Sequence, residues 1–317
     1  MNTKTLINSC PVCNSKKIKR SQSLPTSELA NYYSRISSAA SILLTEMIDR
    51  DEIPANIHMD RCDDCGLEFA NPMFVAESQW YSEIEEYGIR QWDFERCFQD
   101  LKPNSHILEI GCGEGHFLDL AISKGHSCMG LDFNRRAIKV AKSKKLEAYC
   151  WDLKELKSNL QDRKFDAVVF FHVIEHLDDL TMFFQDLHSV MPQGSSLHFT
   201  CPAPNRWTMN LEEIKVGGRE GWDYPPHHQI RWNKVASEQV LTKFGWKLQK
   251  YIEEPFDWKG LSNILACKRI KQSGLELSML SPLERKIRIA LAMISTFIPS
   301  ITKTGMNMYC LSIRQCR

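Results

Sequence analysis

Three groups of residues in this 317-residue chain have the types and spacing that do chemistry. Cys10-Pro11-Val12-Cys13 and Cys62-Asp63-Asp64-Cys65 are two C-x-x-C knuckles. Two thiolates on one tight turn reach the same ion, so two such turns predict a closed, structural Zn2+ site held by Cys10, Cys13, Cys62 and Cys65. The alternative is four ordinary buried or redox cysteines. Glu109-Ile110-Gly111-Cys112-Gly113-Glu114-Gly115 is a glycine turn behind an apolar run. Glycines let backbone approach a ligand closely, and a helix starting after them points free N–H groups at it. Asp132 closes the next predicted strand, where an acid takes the ribose hydroxyls of a bound nucleotide. The third group is titratable: His172, Glu175 and His176 in one stretch, His227 and His228 in another. A ring titrating near neutrality can take a proton from an acceptor, or it can merely orient a helix.

These groups need elements to position them. Residues 106–110 and 127–131 predict strands, Asn134 caps a helix to about 145, and 146–150 is a short third strand. Phe165 to Phe171 is a nearly unbroken apolar run, as in a central parallel strand covered on both faces. A helix is expected at about 234–244. A dinucleotide fingerprint would need glycine at 116, where the chain has His116.

The E-x-G-x-G-x-G turn resembles the first motif of the class I S-adenosylmethionine (SAM) methyltransferases, small-molecule branch. Trp151-Asp152-Leu153 resembles that family's third motif, and His172-Val173-Ile174-Glu175-His176-Leu177 its fourth. The resemblance spans about residues 80–317. It implies a Rossmann-like α/β domain with a doubly wound sheet of order 3-2-1-4-5-7-6, last strand antiparallel. It also implies SAM as cofactor, held by Glu109, Gly111, Cys112, Gly113, Gly115, Asp132, Phe133, Asp152, Leu153 and His172. Catalysis would fall to His227 or His228 as base, with Glu175 and His176 opening the next helix at the rim. The knuckle at 62–65 and its flanks are similar to those preceding methyltransferase domains in sugar and polysaccharide pathways. That points to a nucleotide-activated or glycan sugar acceptor, O- or C-methylated. An RNA methyltransferase whose zinc module grips nucleic acid is the alternative, and a non-catalytic scaffold is disfavoured by the intact cofactor positions.

Composition bounds these readings. Acids and bases nearly cancel, 39 against 40, so no global field favours nucleic acid or membrane. Most of the twelve cysteines are scattered, which suits reduced thiols in the cytoplasm. No run of apolar residues is long enough for a bilayer, and the N-terminus has no signal-like apolar region. The expected organisation is a zinc-ribbon-like module at 1–75 with a helix over Ser27 to Asp49 in its long spacer, a helical linker at 76–100, and the methyltransferase domain at 101–317. His172-x-x-Glu175-His176 also matches a zinc-protease pattern, but it straddles a strand end and is set aside. Residues 207–221 predict a lid with Gly217 and Gly218 as flexible points, or a plain surface loop. Arg231 is placed either to clamp an acceptor phosphate or carboxylate or to pair with an acid. The apolar stripe of 283–301 suits packing on the sheet or in a homodimer, and its basic flanks also suit a membrane surface.

Overall fold

In a computed structural model, the described residues are 6–76, 78–84, 88, 90–151, 155–160, 163–210, 215–256, 281–284, 286–287 and 304–315. Strand β1 (Ile18–Pro25) leads into helices α1 (Thr26–Tyr33) and α2 (Ser38–Asp49), then strands β2 (Asn56–Cys62) and β3 (Glu68–Ala70). The single helix expected over 27–49 is therefore two. The chain breaks after Tyr33 because Ser37 is extended and its side chain accepts from the Ala40 N–H, starting a second helix. Their apolar faces and β1–β2 enclose a core of Leu29, Tyr33, Leu44, Met59 and Trp80. β1 and β2 pair antiparallel, with Ile18 opposite Cys62, which explains how so long a spacer still brings the two knuckles together.

Short helices α3 (Ser78–Ser82) and α4 (Gln91–Phe98) precede the large sheet. Its strands are β4 (His106–Ile110), β5 (Ser127–Leu131), β6 (Ala148–Tyr149), β7 (Ala167–Phe171) and β8 (Ser196–Pro202), joined by helices α5 (His116–Ser123), α6 (Arg135–Ser143), α7 (Leu156–Asn159) and α8 (Leu180–Val190). A two-residue-strand hairpin, β9 (Lys215–Val216) and β10 (Arg219–Glu220), follows. Then come β11 (Ile230–Arg231), α9 (Lys234–Lys243), β12 (Trp246–Glu253) and β13 (Asn307–Arg314). The seven-stranded order is β12-β13-β8-β7-β4-β5-β6. β13 runs antiparallel to both β8 and β12, while β4 through β8 are parallel. This is the expected doubly wound order.

Side-chain alternation builds two cores on this sheet. Leu108, Val168, Phe170, Leu197 and Phe199 face α8 and α9; Ile107, Ala167, Val169 and Phe171 face α4, α5 and α6. All five residues of β7 are buried, as its unbroken apolar run requires. Each large core residue removed from water contributes about 1.5–3 kcal/mol.

The hairpin differs from the expected lid. Gly217 and Gly218, both at positive φ, form its turn, and the unit packs on α1 and β1 through Leu24 and Tyr224. Residues 211–214 lie outside the described residues. So does most of 283–301, of which Leu283 and Ile287 are exposed. No helix among the described residues is long and apolar enough to cross a membrane.

Candidate active site

The glycine turn leaves β4 with Gly111, Gly113 and Gly115 at φ of 75°, 51° and 80°. A Cβ at 111 would lie 2.5 Å from Val173 Cγ2, so only glycine fits where the turn passes beneath the β7 loop. Cys112 is buried against Gly130 of β5. Asp132 locks the turn: Oδ2 accepts from Gly113 N–H at 2.8 Å and Oδ1 from Asn134 N–H at 2.7 Å. Asn134 in turn caps α6 through the N–H groups of Arg136 and Ala137. Burial raises the pKa of Asp132, against the pull of those two backbone donors. Glu109 is buried at the end of β4 with Oε2 unpartnered, and burial plus the nearby Asp132 charge push its pKa well up.

Glu109, Gly111, Cys112, Gly113 and Asp132 line a cavity of about 570 Å3 at the carboxyl ends of β4, β5 and β7. Phe133, half-exposed, stands at its rim edge-on to Tyr81, and Trp151, stacked on Tyr149, closes another side. Asp152 and Leu153 lie outside the described residues.

The opposite wall is built by the turn after β7. His172 sits at φ 56°, an uncommon conformation for a non-glycine residue. Its ring lies between two buried acids, Nε2 3.6 Å from Asp93 and Nδ1 3.3 Å from Glu175. Burial disfavours its charged form, yet those carboxylates outweigh it and raise the pKa. Glu175 shows the converse: burial opposes ionisation, but His172, His176 and His228 draw its pKa down to about 2. Neither Glu175 oxygen receives an aligned hydrogen bond. Glu175 and His176 do not open the next helix as expected. They form a separate tight turn over Ile174–His176, because Asp179 caps α8 by accepting from Met182 N–H. His172 and His176 therefore share no helix face, and the protease-like pattern is without its geometry.

The loop after β10 brings His227 and His228 to the same wall. Their rings stack at 4.5 Å, and His176 stands edge-on to both at 4.8 and 5.0 Å. His176 Nδ1 donates to the His227 carbonyl at 2.6 Å, His227 Nδ1 to the Trp222 carbonyl at 3.2 Å, and His228 Nδ1 to Asp223 Oδ1 at 3.2 Å. Burial lowers the pKa of His176 to about 4 and that of His227 well below the ordinary range, each helped by the neighbouring rings. The N-terminal module fixes this loop. Tyr81 donates to the Pro226 carbonyl at 2.7 Å, Gln229 bonds Phe74, and β11 pairs with β3. Arg231 is engaged internally by Glu68 at 2.6 Å, by Gln22 and by the Asp223 carbonyl.

Away from the cavity, Cys10 Sγ lies 3.6 Å from Cys65 Sγ and Cys13 Sγ 3.5 Å from Cys62 Sγ, with all four sulfurs within 4.8 Å. Zn–S bonds of about 2.3 Å place tetrahedral sulfurs about 3.7 Å apart, so the four thiols fit one ion.

The structure brings the described cofactor-site and catalytic candidates around one cavity, except Gly115, which packs against Leu146 and Ala141. Sequence reasoning missed Asp93, Tyr81 and Asp223. Asp93 sits at a buried helical position, the one signal that marks a partnered charge, and it is visible only once α4 is docked.

The family described as "methyltransferase domain" matches residues 84–251. Among curated proteins, the chain is 29% identical over 182 residues to a probable S-adenosylmethionine-dependent methyltransferase of Mycolicibacterium smegmatis, covering 56% of this chain and 63% of that one. It is 34% identical over 145 residues to a mitochondrial ubiquinone biosynthesis O-methyltransferase of Rattus norvegicus, 43% and 41%. It is 28% identical over 182 residues to a probable tRNA methyltransferase of Bos taurus, 56% and 36%. The aligned segment spans less than two thirds of the length of each of these relatives.

Proposed function

The chain belongs to the class I S-adenosylmethionine-dependent methyltransferases, and on that premise we propose that it methylates a small hydroxylated acceptor, a nucleotide-activated or glycan sugar. The observation that carries this reading is one cavity with the glycine turn and Asp132 on one wall and the His176, His227, His228 cluster on the other. The cofactor wall fits SAM on its own terms: positive-φ glycines expose backbone, Asp132 holds them, and Glu109 keeps a buried oxygen without a donor. Bound SAM supplies an electrophilic methyl on sulfonium, which an acceptor lone pair displaces in line as the C–S bond breaks. The chain's own residues align and activate. Gly111 to Gly115 and Asp132 hold the donor end, and alignment at contact distance supplies much of the acceleration. The three imidazoles face the acceptor end, where the acceptor's proton must leave.

Seven carboxylates line this cavity against one arginine, Arg90, among the described residues. That field suits a sulfonium and an array of hydroxyl donors and repels a polyanion, so it supports a sugar over the tRNA acceptor named for one relative. The Cys10, Cys13, Cys62 and Cys65 set holds structural Zn2+ in this reading. Calorimetric titration with S-adenosylhomocysteine, with NAD as control, tests it: micromolar binding of the first and none of the second is expected. Absence of binding removes the methyl-transfer reading, and strongly salt-dependent RNA affinity would replace the sugar with a nucleic acid.

A further inference from the structure

We propose that His176, His227 and His228 form a binding site for a divalent first-row transition ion such as Zn2+, with its open coordination positions toward the acceptor end of the cavity. This deepens the methyl-transfer reading and rests on it for the ion's role, not for its binding.

Hydrogen bonds fix the tautomer of each ring. A carbonyl oxygen only accepts, so the contacts of His176 Nδ1 to His227 O and of His227 Nδ1 to Trp222 O require a proton on each Nδ1. A carboxylate oxygen also accepts: His228 Nδ1 lies 3.2 Å from Asp223 Oδ1 while Arg206 pairs with Oδ2 at 2.7 Å, so His228 Nδ1 carries a proton as well. In a neutral imidazole with Nδ1–H, the lone pair is on Nε2. Each ring thus keeps its lone pair on Nε2; the three residues line one cavity, and one ring nitrogen from each lies within 4.8 Å of the others. This is the ligand preparation typical of metal-binding histidines, in which the second nitrogen donates to a carbonyl or carboxylate that fixes the tautomer and ring.

A further observation points to a cation. Glu175, on the same wall, is a buried acid with no aligned donor on either oxygen. A dication held by the three rings offsets the cost of burying that carboxylate. Metal–nitrogen bonds of about 2.0–2.1 Å put tetrahedral ligands about 3.3 Å apart, so side-chain rotations closing the cluster by about 1.5 Å complete the geometry. An all-imidazole set selects Zn2+, Cu2+, Fe2+ or Ni2+ over Mg2+ and Ca2+, which prefer oxygen.

The ion gives the acceptor end a chemistry that the rings alone do not supply, a Lewis acid for the acceptor oxygen. A hydroxyl polarised by the ion loses its proton to water at neutral pH. Its oxygen lone pair then forms the C–O bond while the C–S pair stays on sulfur. The site therefore favours an oxygen acceptor over carbon.

The test uses the full chain with its cysteine site filled by zinc, titrated with CoCl2. One additional equivalent should bind with micromolar Kd and give ligand-field bands without thiolate charge transfer. The proton NMR spectrum should show three exchangeable, paramagnetically shifted imidazole N–H signals, one per Nδ1. His176→Asn and His228→Asn should each weaken cobalt binding about tenfold or more, with zinc content and S-adenosylhomocysteine affinity retained. No binding to wild-type protein by about 1 mM, or binding without the shifted N–H signals, overturns the site. The wild-type spectrum decides even where a variant fails to fold. Cobalt binding without S-adenosylhomocysteine binding would leave the ion site standing and remove the methyl-transfer reading.

Discussion

Ile230 lies directly opposite Phe69 in antiparallel register, so two residues after His228 the chain becomes the fourth strand of the N-terminal sheet. That sheet begins at the knuckles: β2 ends at Cys62, and Cys65 precedes β3 by three residues. The cysteine cluster therefore anchors the strand that positions the histidine loop, while the glycine turn hangs from a different sheet.

This separation makes the first prediction. Cys62→Ser should lose the zinc equivalent, measured by mass spectrometry, and lower the unfolding midpoint by about 5 °C or more. Affinity for S-adenosylhomocysteine should stay within about threefold, because Gly111 to Gly115 and Asp132 are carried by β4 and β5. Unchanged metal content in this variant would remove the structural zinc.

Gly111→Ala tests the turn. Alanine at φ 75° costs about 1–2 kcal/mol, and its Cβ meets Val173 at 2.5 Å. S-adenosylhomocysteine should bind about tenfold or more weakly. Gly194→Ala is the control: it has positive φ but open space around it and lies in the turn before β8, so stability should fall slightly with binding unchanged.

His198 predicts acid lability. Its ring is buried between Tyr309 Oη and Ser196 Oγ, at 2.8 Å each, and burial lowers its pKa to about 3. The unfolded chain binds this proton below about pH 6.5 and the native chain only near 3. Between these values the unfolded state binds more protons, so stability rises with pH across the window and is complete above 6.5. The loss on acidification from this ring amounts to roughly 5 kcal/mol at most. Urea unfolding of wild type and His198→Gln from pH 7 to 4.5 should converge or cross as pH falls. Parallel curves would assign the acid sensitivity to other groups.

Arg206 is the hub of a buried ion network, paired with Glu220 and, at 2.7 Å, with Asp223, the residue that orients His228. Arg206→Met removes the main ion partner of two buried carboxylates, leaving Asp223 to His228 and more distant arginines and Glu220 to Trp222, and should destabilise by about 3–5 kcal/mol. Arg206→Met combined with Glu220→Gln should recover part of that loss. A single-variant cost near zero, read by chemical denaturation, would mean that water reaches the pair.

Much of this protein was legible in its residues. The central strands were legible in apolar runs, because a parallel sheet buried on both faces writes itself as uninterrupted hydrophobicity, as in Ala167–Phe171, while their order was implied by the family resemblance of the motifs between them. The glycine turn and Asp132 were legible because their function depends on backbone geometry that few residues permit. The paired knuckles were legible because ligand spacing within a turn is local. What depended on long-range docking was not. The helix break at Ser34 to Ser37, the independent turn at Ile174–His176 and the hairpin at Gly217-Gly218 were settled by caps and packing that periodicity does not carry. Asp93 became a partner of His172 only when α4 docked. The meeting of His176 with His227 and His228, some fifty residues apart, arises because β11 leaves the methyltransferase region to pair with β3, a contact decided by tertiary structure and by no local signal.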